Sequence, residues 1–328
     1  MRQLEYLSYS GLSLWESRPD EFYLTRLCER REPREPQEKP AAAGSAFDAY
    51  VKSFLHRALF GDSNPQFEFQ TLFEAQVEPQ NRDWAIPVGQ YIFHCYKLSG
   101  FYDELLDMLK QSKEPPRFEF EVQATLNGVP FLGKPDACWV TPRDVHVIHD
   151  FKVSGFASKY TTSPCKGYRI CRDGFVGKQS RGAGKEHREY LGLQYRDIEI
   201  NTSYMEASND SWADQLSLYG WALGEKIGDE NVVLSIHQIV AKPVEYEFPQ
   251  LRVAEYHGRV AAGHQHALAA RLKRCWDALQ SGHIFADLSR EESDLQCQAL
   301  DDVALGMMTD GSSREDFFND ITRSRYMG

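Results

Sequence analysis

The chain contains 328 residues, of which 42% are hydrophobic and 12% aromatic, and it has a formal net charge of −11. This composition is sufficient for a large hydrophobic core, and it excludes low-complexity, collagen-like and disulfide-dense proteins. The negative charge argues against a protein coated in DNA, although it leaves room for a local basic groove.

Neither a secretory leader nor a membrane span is predicted. No apolar signal core follows the opening MRQLEYLSYS, and no apolar run approaches the length of a membrane span. The seven cysteines are scattered, and without paired Cys or His at short spacing a zinc site is not expected. We therefore expect a cytoplasmic protein with reduced thiols and no membrane contact.

The first third of the chain is predicted to be helical. Residues 8–27 should form two short helices, because a proline breaks any single one. A charged, proline-rich linker occupies residues 31–40. Apolar residues recur at helical spacing in 43–61, which predicts a helix ending at a glycine. Residues 88–112 are expected to contain one or two further helices.

Residues 117–153 are predicted to form three antiparallel strands. The alternating segment 117–126 is followed by Asn-Gly, a strong hairpin signal, then by a strand at 129–140, a turn and a strand at 145–153. The remaining predicted elements are a helix at 210–228, a strand at 232–241 and a largely helical stretch at 253–282.

This order of elements predicts an α/β fold with a central mixed sheet flanked by helices. We expect one domain over residues 1–285, with a basic insertion at 155–209. Residues 286–328 are expected to be a loosely attached acidic tail with at most one short helix.

Two aspartates and a lysine are predicted to meet in the second hairpin. The turn at 141–144 places Asp136 opposite His149, and a one-residue bulge at the neighbouring proline would bring it opposite Asp150. Because side chains alternate along a strand, Asp150 and Lys152 share one face. Carboxylate oxygens suit Mg²⁺ or Mn²⁺, which activates water, and a lysine can neutralise the charge that develops on a phosphate.

Residues 159–188 form a basic segment in an otherwise acidic chain. Eight Lys or Arg residues face one Asp and one Glu there, a net charge of 8 − 2 = +6, and five glycines predict a loop. Its interleaved aromatic residues suit a phosphate backbone and stacked bases, although a solvated surface loop is an equal alternative. The DNA-binding candidates are Lys166, Arg169, Arg172, Lys178, Arg181 and Lys185.

Three short motifs follow one another in a set order, GKPD at 133–136, DFK at 150–152 and QLSLY at 215–219. They resemble the G-x-x-D strand, D-x-K strand and Q-x-x-x-Y helix of the PD-(D/E)XK nucleases, specifically their RecB-like, phage-type exonuclease branch. SYSGLSLWESRPDEFY and GSAFDAYV also resemble the two opening helices of that branch. The resemblance spans residues 8–225 and implies a restriction-endonuclease-like core.

The resemblance assigns roles to individual residues. It implies a metal-binding set of Asp48, Asp136, Asp150 and Phe151, the last through its backbone carbonyl. It implies a catalytic set of Asp136, Asp150, Lys152, Gln215 and Tyr219. Gln215 and Tyr219 would brace the site and contact DNA, although Tyr219 could equally be a core residue. Glu121, on the first strand, could approach the metal by parity but is expected to be exposed.

Two departures from the family pattern bear on the cofactor. Asp48 stands where the family has a histidine; as an oxygen ligand it could preserve binding of Mg²⁺ or Mn²⁺, or it could mark a site that has drifted. Some relatives hold an iron–sulfur cluster, with one Cys before the proline of the first helix and three near the C-terminus. Here Arg18 precedes Pro19, and Cys275 and Cys297 are isolated. We therefore expect no iron–sulfur cluster.

The resemblance implies a metal-dependent DNA nuclease, expected to be an exonuclease of recombination, repair or phage DNA metabolism. Its expected partners are linear or single-stranded DNA ends and, among proteins, a recombinase, a helicase or a single-strand annealing protein. One alternative is a non-catalytic DNA-binding module on the same fold. Another is a hydrolase of small phosphorylated substrates, which would not need the basic segment.

Overall fold

The computed structural model describes residues 1–30, 36–62, 64–155, 164, 168–172, 175–177, 203–241 and 250–310. They belong to two compact units. The first unit comprises Met1–Glu35, Gln123–Gly133 and His266–Gly328, and the second comprises Pro36–Val122 and Lys134–Gln265. Within the described ranges, no helix is both long enough and apolar enough to cross a membrane.

A mixed sheet forms the centre of the second unit. In spatial order, its described strands are β1 (Arg117–Phe118), β4 (Ala137–Val140), β5 (His146–Ser154), β8 (Val232–Ala241), β9 (Leu251–Gly258), β6 (Arg169–Arg172) and β7 (Phe175–Gly177). Strands β5 and β8 are parallel, and the other neighbouring pairs are antiparallel. A parallel pair needs a crossover connection, and the helix α7 (Asp210–Ala222) lies in that connection.

Helices lie on both faces of this sheet. The helices of one face are α3 (Lys39–Phe60), α5 (Arg82–Leu98) and α6 (Phe101–Lys110), and α4 (Phe69–Gln76) packs beside α3. Helix α7 packs on the opposite face, where the rings of Trp212 and Tyr256 lie 5.3 Å apart between centroids. The predicted mixed α/β architecture with flanking helices is therefore confirmed.

The main core of the second unit lies between the sheet and α3, α5 and α6. Phe47 of α3 makes edge-to-face contacts with Tyr96 of α5 and with Phe151 of β5, at centroid distances of 5.5 and 5.6 Å. Burial of each such aromatic side chain stabilises the fold by about 1.5–3 kcal/mol. These contacts fix α3 against β5, the two elements that carry Asp48 and Asp150.

The first unit is built mainly from helices. It contains α1 (Tyr9–Ser17), α2 (Pro19–Phe22) with a following π-helical turn (Tyr23–Leu27), and α9 (Arg290–Asp310), together with most of the hairpin β2 (Val122–Leu126) and β3 (Val129–Gly133) and of α8 (Ala262–Ser281). The indole of Trp15 donates a hydrogen bond to the carbonyl of Ile284 at 3.0 Å, and Arg271 pairs with Glu16 at 2.5 Å. Pro19 separates the two opening helices, as predicted.

The predicted three-strand meander is wrong in one respect, because two of its strands are broken. The first breaks between β1 and β2, where Glu119 adopts a left-handed backbone conformation with φ of 47°. The second breaks between β3 and β4 at Pro135, which has no N–H to donate to a ladder. As a result, β2 and β3 pair with each other outside the main sheet, with Leu7 forming an isolated bridge to Phe131 of β3, while β1 and β4 join the main sheet.

The helix predicted to begin at residue 253 begins at Ala262 instead, because residues 251–258 form strand β9. Glu255 and His257 share one face of β9, Ala254 and Tyr256 share the other, and all four are buried. A strand that is buried on both faces does not show the alternation of polar and apolar residues from which a strand is predicted.

Two further expectations need correction. The basic segment was predicted to be a loop, yet β6 and β7 pair as an antiparallel ribbon within it. In the tail, residues 290–310 form a 21-residue helix rather than one short helix, and its Ser293 and Leu300 are buried. The predicted domain boundary at residue 285 stays a prediction.

Candidate active site

Asp136 and Asp150 face each other at the end of the β4–β5 ladder. The last registered pair is Ala137 with His149, so Asp136 and Asp150 occupy the next opposed positions. The predicted register was off by one residue, and the bulge that it required is unnecessary. The backbone N–H of Phe151 donates to Oδ2 of Asp136 at 2.8 Å, which fixes that carboxylate beside β5.

Lys152 connects β5 to helix α7. Its ammonium lies 2.5 Å from Oδ2 of Asp150 and donates to Oε1 of Gln215 at 2.8 Å. The amide of Gln215 in turn donates to the hydroxyl of Tyr219 at 3.0 Å, across one helical turn. The structure thus brings these four predicted residues together with Asp136, and Tyr219 is also largely buried, at 8% exposure.

Asp48 reaches the same place from helix α3, together with a lysine that the sequence analysis missed. Lys52 follows Asp48 by one turn, and its ammonium lies 2.7 Å from Oδ2 of Asp48 and 2.8 Å from Oδ1 of Asp136. It also contacts the carboxylate of Glu119. Lys52 is 1% exposed, so this ammonium is almost fully removed from solvent.

Glu119 is the second residue that the sequence analysis missed. Its carboxylate contacts Lys52 and Lys134, and Gln76 donates to its Oε1 at 3.4 Å. The left-handed backbone conformation of Glu119 interrupts the strand there, so strand parity does not predict where its side chain points. Glu121, the alternative by parity, is exposed as expected.

The carboxyl groups differ in how readily they ionise. Burial raises the pKa of Asp150 to about 7, and the negative charge of Asp136 adds to this effect. Burial likewise raises the pKa of Asp48 to about 7, although Lys52 opposes it. Burial also raises the pKa of Asp136, but the charge and hydrogen bond of Lys52 outweigh it, so its pKa lies below the ordinary value. Asp136 therefore ionises more readily than Asp48 and Asp150.

These groups line an open cleft of about 420 Å³ in the second unit. Carboxylate oxygens of Asp48, Glu119 and Asp136 lie within 4.8 Å of one another, and Asp150 lines the same cleft. Oδ2 of Asp150 is buried and lies 2.5 Å from the ammonium of Lys152. An all-oxygen donor set of this kind fits Mg²⁺ or Mn²⁺.

The proposed DNA-binding residues are mostly outside the described ranges. Lys166, Lys178, Arg181 and Lys185 fall there, and Arg172 is placed only as a position in β6. Arg169 lies in β6, where its guanidinium pairs with Glu104 at 3.0 Å, donates to the carbonyl of Ser99 and stacks on the ring of Phe101. Its charge is therefore already engaged within the fold.

A sequence signal existed for Lys52 but not for Glu119. Asp48 and Lys52 form an i, i+4 pair of opposite charge within a helix whose apolar stripe is well marked. Such pairs are common on solvated helix faces, so the spacing alone does not separate a buried ion pair from an exposed one.

Comparison with known proteins yields only distant likenesses. No family model matches the chain, and no curated protein matches it. Among solved structures, a protein of Eubacterium rectale described as an unproven exonuclease aligns with a TM-score of 0.41 and 14% identity, over 85% of this chain and 82% of that one. The protein SSO0001 aligns with a TM-score of 0.24 and 10% identity, over 82% and 85%. Neither likeness is close enough to bear on the function of this chain.

Proposed function

We propose that this chain is a Mg²⁺- or Mn²⁺-dependent deoxyribonuclease that hydrolyses phosphodiester bonds at DNA ends. The proposal is carried by the convergence of Asp136, Asp150 and Lys152 beside an open cleft. Asp150 is only 5% exposed. A buried carboxylate held next to another carboxylate is costly unless a cation compensates it, and such arrangements mark functional sites.

Asp136, Asp150 and the backbone carbonyl of Phe151 are the groups that would hold the divalent ion. The pKa of Asp136 lies below its ordinary value, so this carboxylate is ionised, and Asp150 supplies a second carboxylate in the opposed strand position. When bound, Mg²⁺ or Mn²⁺ supplies a Lewis acid that activates water and stabilises negative charge on the scissile phosphate.

Lys152 is proposed to neutralise the charge that builds on the phosphate. The Lys152 side chain is 30% exposed and lines the cleft, so it can contact a substrate that enters there. Asp150 and Gln215 hold it from two sides, and Tyr219 holds Gln215. A group oriented in advance stabilises the transition state without reorganising at the moment of reaction. Gln215 and Tyr219 are therefore positioning residues in this proposal.

Lys52 is proposed to act as a fixed cation in place of a second metal ion. Its ammonium already compensates Asp48, Glu119 and Asp136 on the α3 side of the cleft. In this arrangement Asp48 supports Lys52 rather than binding metal directly. The replacement of the family histidine by Asp48 then accompanies a change from a metal ligand to an ion-pair partner.

DNA is the proposed substrate, and linear or single-stranded ends are the proposed sites of attack. The basic segment at 159–188 follows β5 in the chain, and it is proposed to guide the phosphate backbone. The proposed biological setting is recombination, repair or phage DNA metabolism, with a recombinase, a helicase or an annealing protein as a partner. These finer assignments derive from the resemblance of the motifs.

One observation favours the rival function of a non-catalytic DNA-binding module. The ammonium of Lys52 occupies the space between three of the carboxylates, as would be expected if metal binding had been lost. The retained Asp150–Lys152–Gln215 network argues the other way, because a binding module has no need of it.

Incubation with DNA separates the two functions. Linear and closed circular DNA are incubated with the protein in Mn²⁺ and, separately, in EDTA. The nuclease predicts loss of linear DNA in Mn²⁺ only. Retarded migration of intact DNA in both conditions would instead establish the binding module.

A matched pair of lysine variants tests the catalytic assignment. Lys152→Met should reduce the rate of cleavage by about 10²–10³-fold, because one preorganised cation is lost. Lys134→Met removes a lysine of the same cleft that is 55% exposed and should change the rate less than about tenfold. Equal effects of the two substitutions would contradict the role of Lys152.

A further inference from the structure

A second cluster of metal-binding side chains lies inside the core of the second unit. His237 of β8 and Glu255 and His257 of β9 are 0%, 7% and 2% exposed. His237 is paired with Glu255 in the strand register, and His257 follows two residues later on the same face of β9. None of the three lines the cleft that contains Asp136 and Asp150.

The spacing of the donor atoms matches a tetrahedral metal ion. Oε1 of Glu255 lies 3.2 Å from Nε2 of His237 and 3.0 Å from Nε2 of His257. One donor atom from each residue can be chosen so that all lie within 4.8 Å of one another. Zinc bonds of about 2.0–2.1 Å at tetrahedral angles place ligand atoms about 3.3 Å apart. The carboxylate is therefore already at the right distance from both imidazoles.

The surroundings of His237 are those of a metal-bound histidine. Its Nδ1 lies 2.6 Å from the hydroxyl of the fully buried Tyr96. A histidine that binds a metal through one ring nitrogen commonly donates from the other, which fixes the orientation of the ring. Tyr96 can accept that hydrogen bond.

A further buried imidazole packs against the cluster. His149 is 0% exposed, and its Nδ1 is engaged with the hydroxyl of Ser235 at 2.8 Å. Its Nε2 is buried and has no hydrogen-bond partner among the described residues. The rings of His149 and His237 pack edge to face with centroids 4.6 Å apart. Leaving this imidazole nitrogen unpartnered costs about 1–3 kcal/mol, and it adds a polar group to the core beside His237.

We propose that His237, Glu255 and His257 bind one Zn²⁺ ion. The site is structural, because its three ligands are buried in the core and none of them lines the cleft. Imidazole donors select a transition metal over Mg²⁺, so this ion is different in kind from the one proposed for the cleft. The inference does not depend on the nuclease activity.

Zinc content tests the proposal directly. The full chain is produced with Asp136→Asn and Asp150→Asn, so that the cleft cannot account for the metal, and is desalted before elemental analysis. We expect about one zinc per chain, and less than about 0.1 when His257→Gln is added. Zinc below about 0.1 in the first protein, or unchanged zinc in the second, would overturn the proposal.

A second measurement covers the case in which His257→Gln does not fold. The same Asp136→Asn and Asp150→Asn chain is unfolded in chelator and refolded with and without Zn²⁺ or Co²⁺. We expect Zn²⁺ to raise the Tm by about 4 °C or more, and Co²⁺ to give the visible absorption of a tetrahedral ion. An unchanged Tm without Co²⁺ absorption would show that the cluster is a hydrogen-bonded network that shares protons, and the zinc site would be abandoned.

Discussion

The contacts of Lys52 determine how the cleft is charged. A single ammonium compensates Asp48, Glu119 and Asp136, and Lys52 itself is almost completely buried. Breaking a buried ion pair by removing one partner costs about 3–5 kcal/mol, because the other charge stays buried and unpaired. The same removal would leave three converging carboxylates, which is the donor set of a hard cation.

Lys52→Met is expected to lower the stability of the fold and to increase the number of metal ions that the cleft binds. Without metal, the free energy of unfolding should fall by about 3–5 kcal/mol. Titration calorimetry should then detect about two Mn²⁺ ions per chain instead of one, because the freed carboxylates form a second site. Lys134→Met, which removes a far more exposed partner of Glu119, should change stability by less than about 1 kcal/mol. An unchanged stoichiometry in Lys52→Met would show that Lys52 is not a substitute for an ion.

The raised pKa of Asp150 predicts how metal binding depends on pH. Because its folded-state pKa is about 7, above the ordinary value, the folded chain retains a proton below pH 7 that the unfolded chain has lost. This group therefore loses its contribution to stability as pH rises from the ordinary pKa to about 7, and metal binding must displace the proton. The affinity for Mn²⁺ should rise about tenfold between about pH 6 and about pH 8. Calorimetry at both pH values measures it, and a flat profile would contradict the assignment.

Motif spacing was enough to predict some residues of the cleft, but it did not predict the others or the buried histidine cluster. Asp136, Asp150, Lys152, Gln215 and Tyr219 were predicted because each lies in a short motif whose order along the chain is informative. Lys52 and Glu119, like His237, Glu255 and His257, come together only through tertiary packing. The scattered cysteines gave no hint of zinc, because the histidines concerned are 20 residues apart, on different strands.

Among the elements, helix α3 and the β4–β5 hairpin position the site. Helix α3 supplies Asp48 and Lys52, and its other side packs against α5. The two helices lie close together where Gly89 of α5 meets Ala46 of α3. A Cβ atom on Gly89 would lie 2.6 Å from the Cβ of Ala46 and 2.9 Å from its backbone carbonyl carbon. Because backbone is involved, the helices would have to separate.

Gly89→Ala is therefore expected to destabilise the protein and disturb the cleft. The free energy of unfolding should fall by about 1–3 kcal/mol, as in other overpacked cores, and DNA cleavage should weaken with it. Gly263→Ala is the control, since among the described residues no heavy atom outside its chain neighbours and its own helix backbone lies within 4 Å of its Cβ position in helix α8. Alanine there should be neutral or stabilise by up to about 1 kcal/mol. Denaturant unfolding measures both, and similar effects of the two substitutions would contradict the close approach of α3 and α5.

Helices and strands were predicted correctly where the sequence shows a clear hydrophobic periodicity. Strand β8 begins and ends at the residues predicted, and α3 ends one residue before the predicted glycine. Strand β9 was mistaken for helix because it is buried on both faces. The breaks at Glu119 and Pro135 were missed because an alternating pattern continues across a change of sheet. A local sequence pattern predicts whether an element is a helix or a strand better than it predicts which strand that element pairs with.

For the whole molecule, the distribution of charge along the chain predicts where a phosphate backbone would bind. The chain carries −11 overall but +6 in residues 159–188. A phosphate backbone would therefore be attracted to one segment and repelled by much of the remaining surface. Electrostatic binding of this kind is weakened by salt, because bound cations return to the DNA.

Binding of single-stranded DNA in EDTA should consequently be salt-sensitive. Between about 50 and about 200 mM NaCl, we expect the affinity to fall at least about tenfold. A variant with glutamine at Lys166, Lys178, Arg181 and Lys185 should bind more weakly and show a shallower salt dependence. Fluorescence anisotropy measures both. An unchanged slope in the variant would show that the basic segment does not contact the phosphate backbone.

We propose that Asp136 and Asp150 hold one divalent ion while Lys52 remains among the other carboxylates. Anomalous diffraction from crystals soaked in Mn²⁺ can locate that ion. We predict a single peak within about 2.5 Å of a carboxylate oxygen of both aspartates, with the Lys52 ammonium in place. A peak at the position of that ammonium, or no peak in the cleft while Mn²⁺ is in excess, would contradict it.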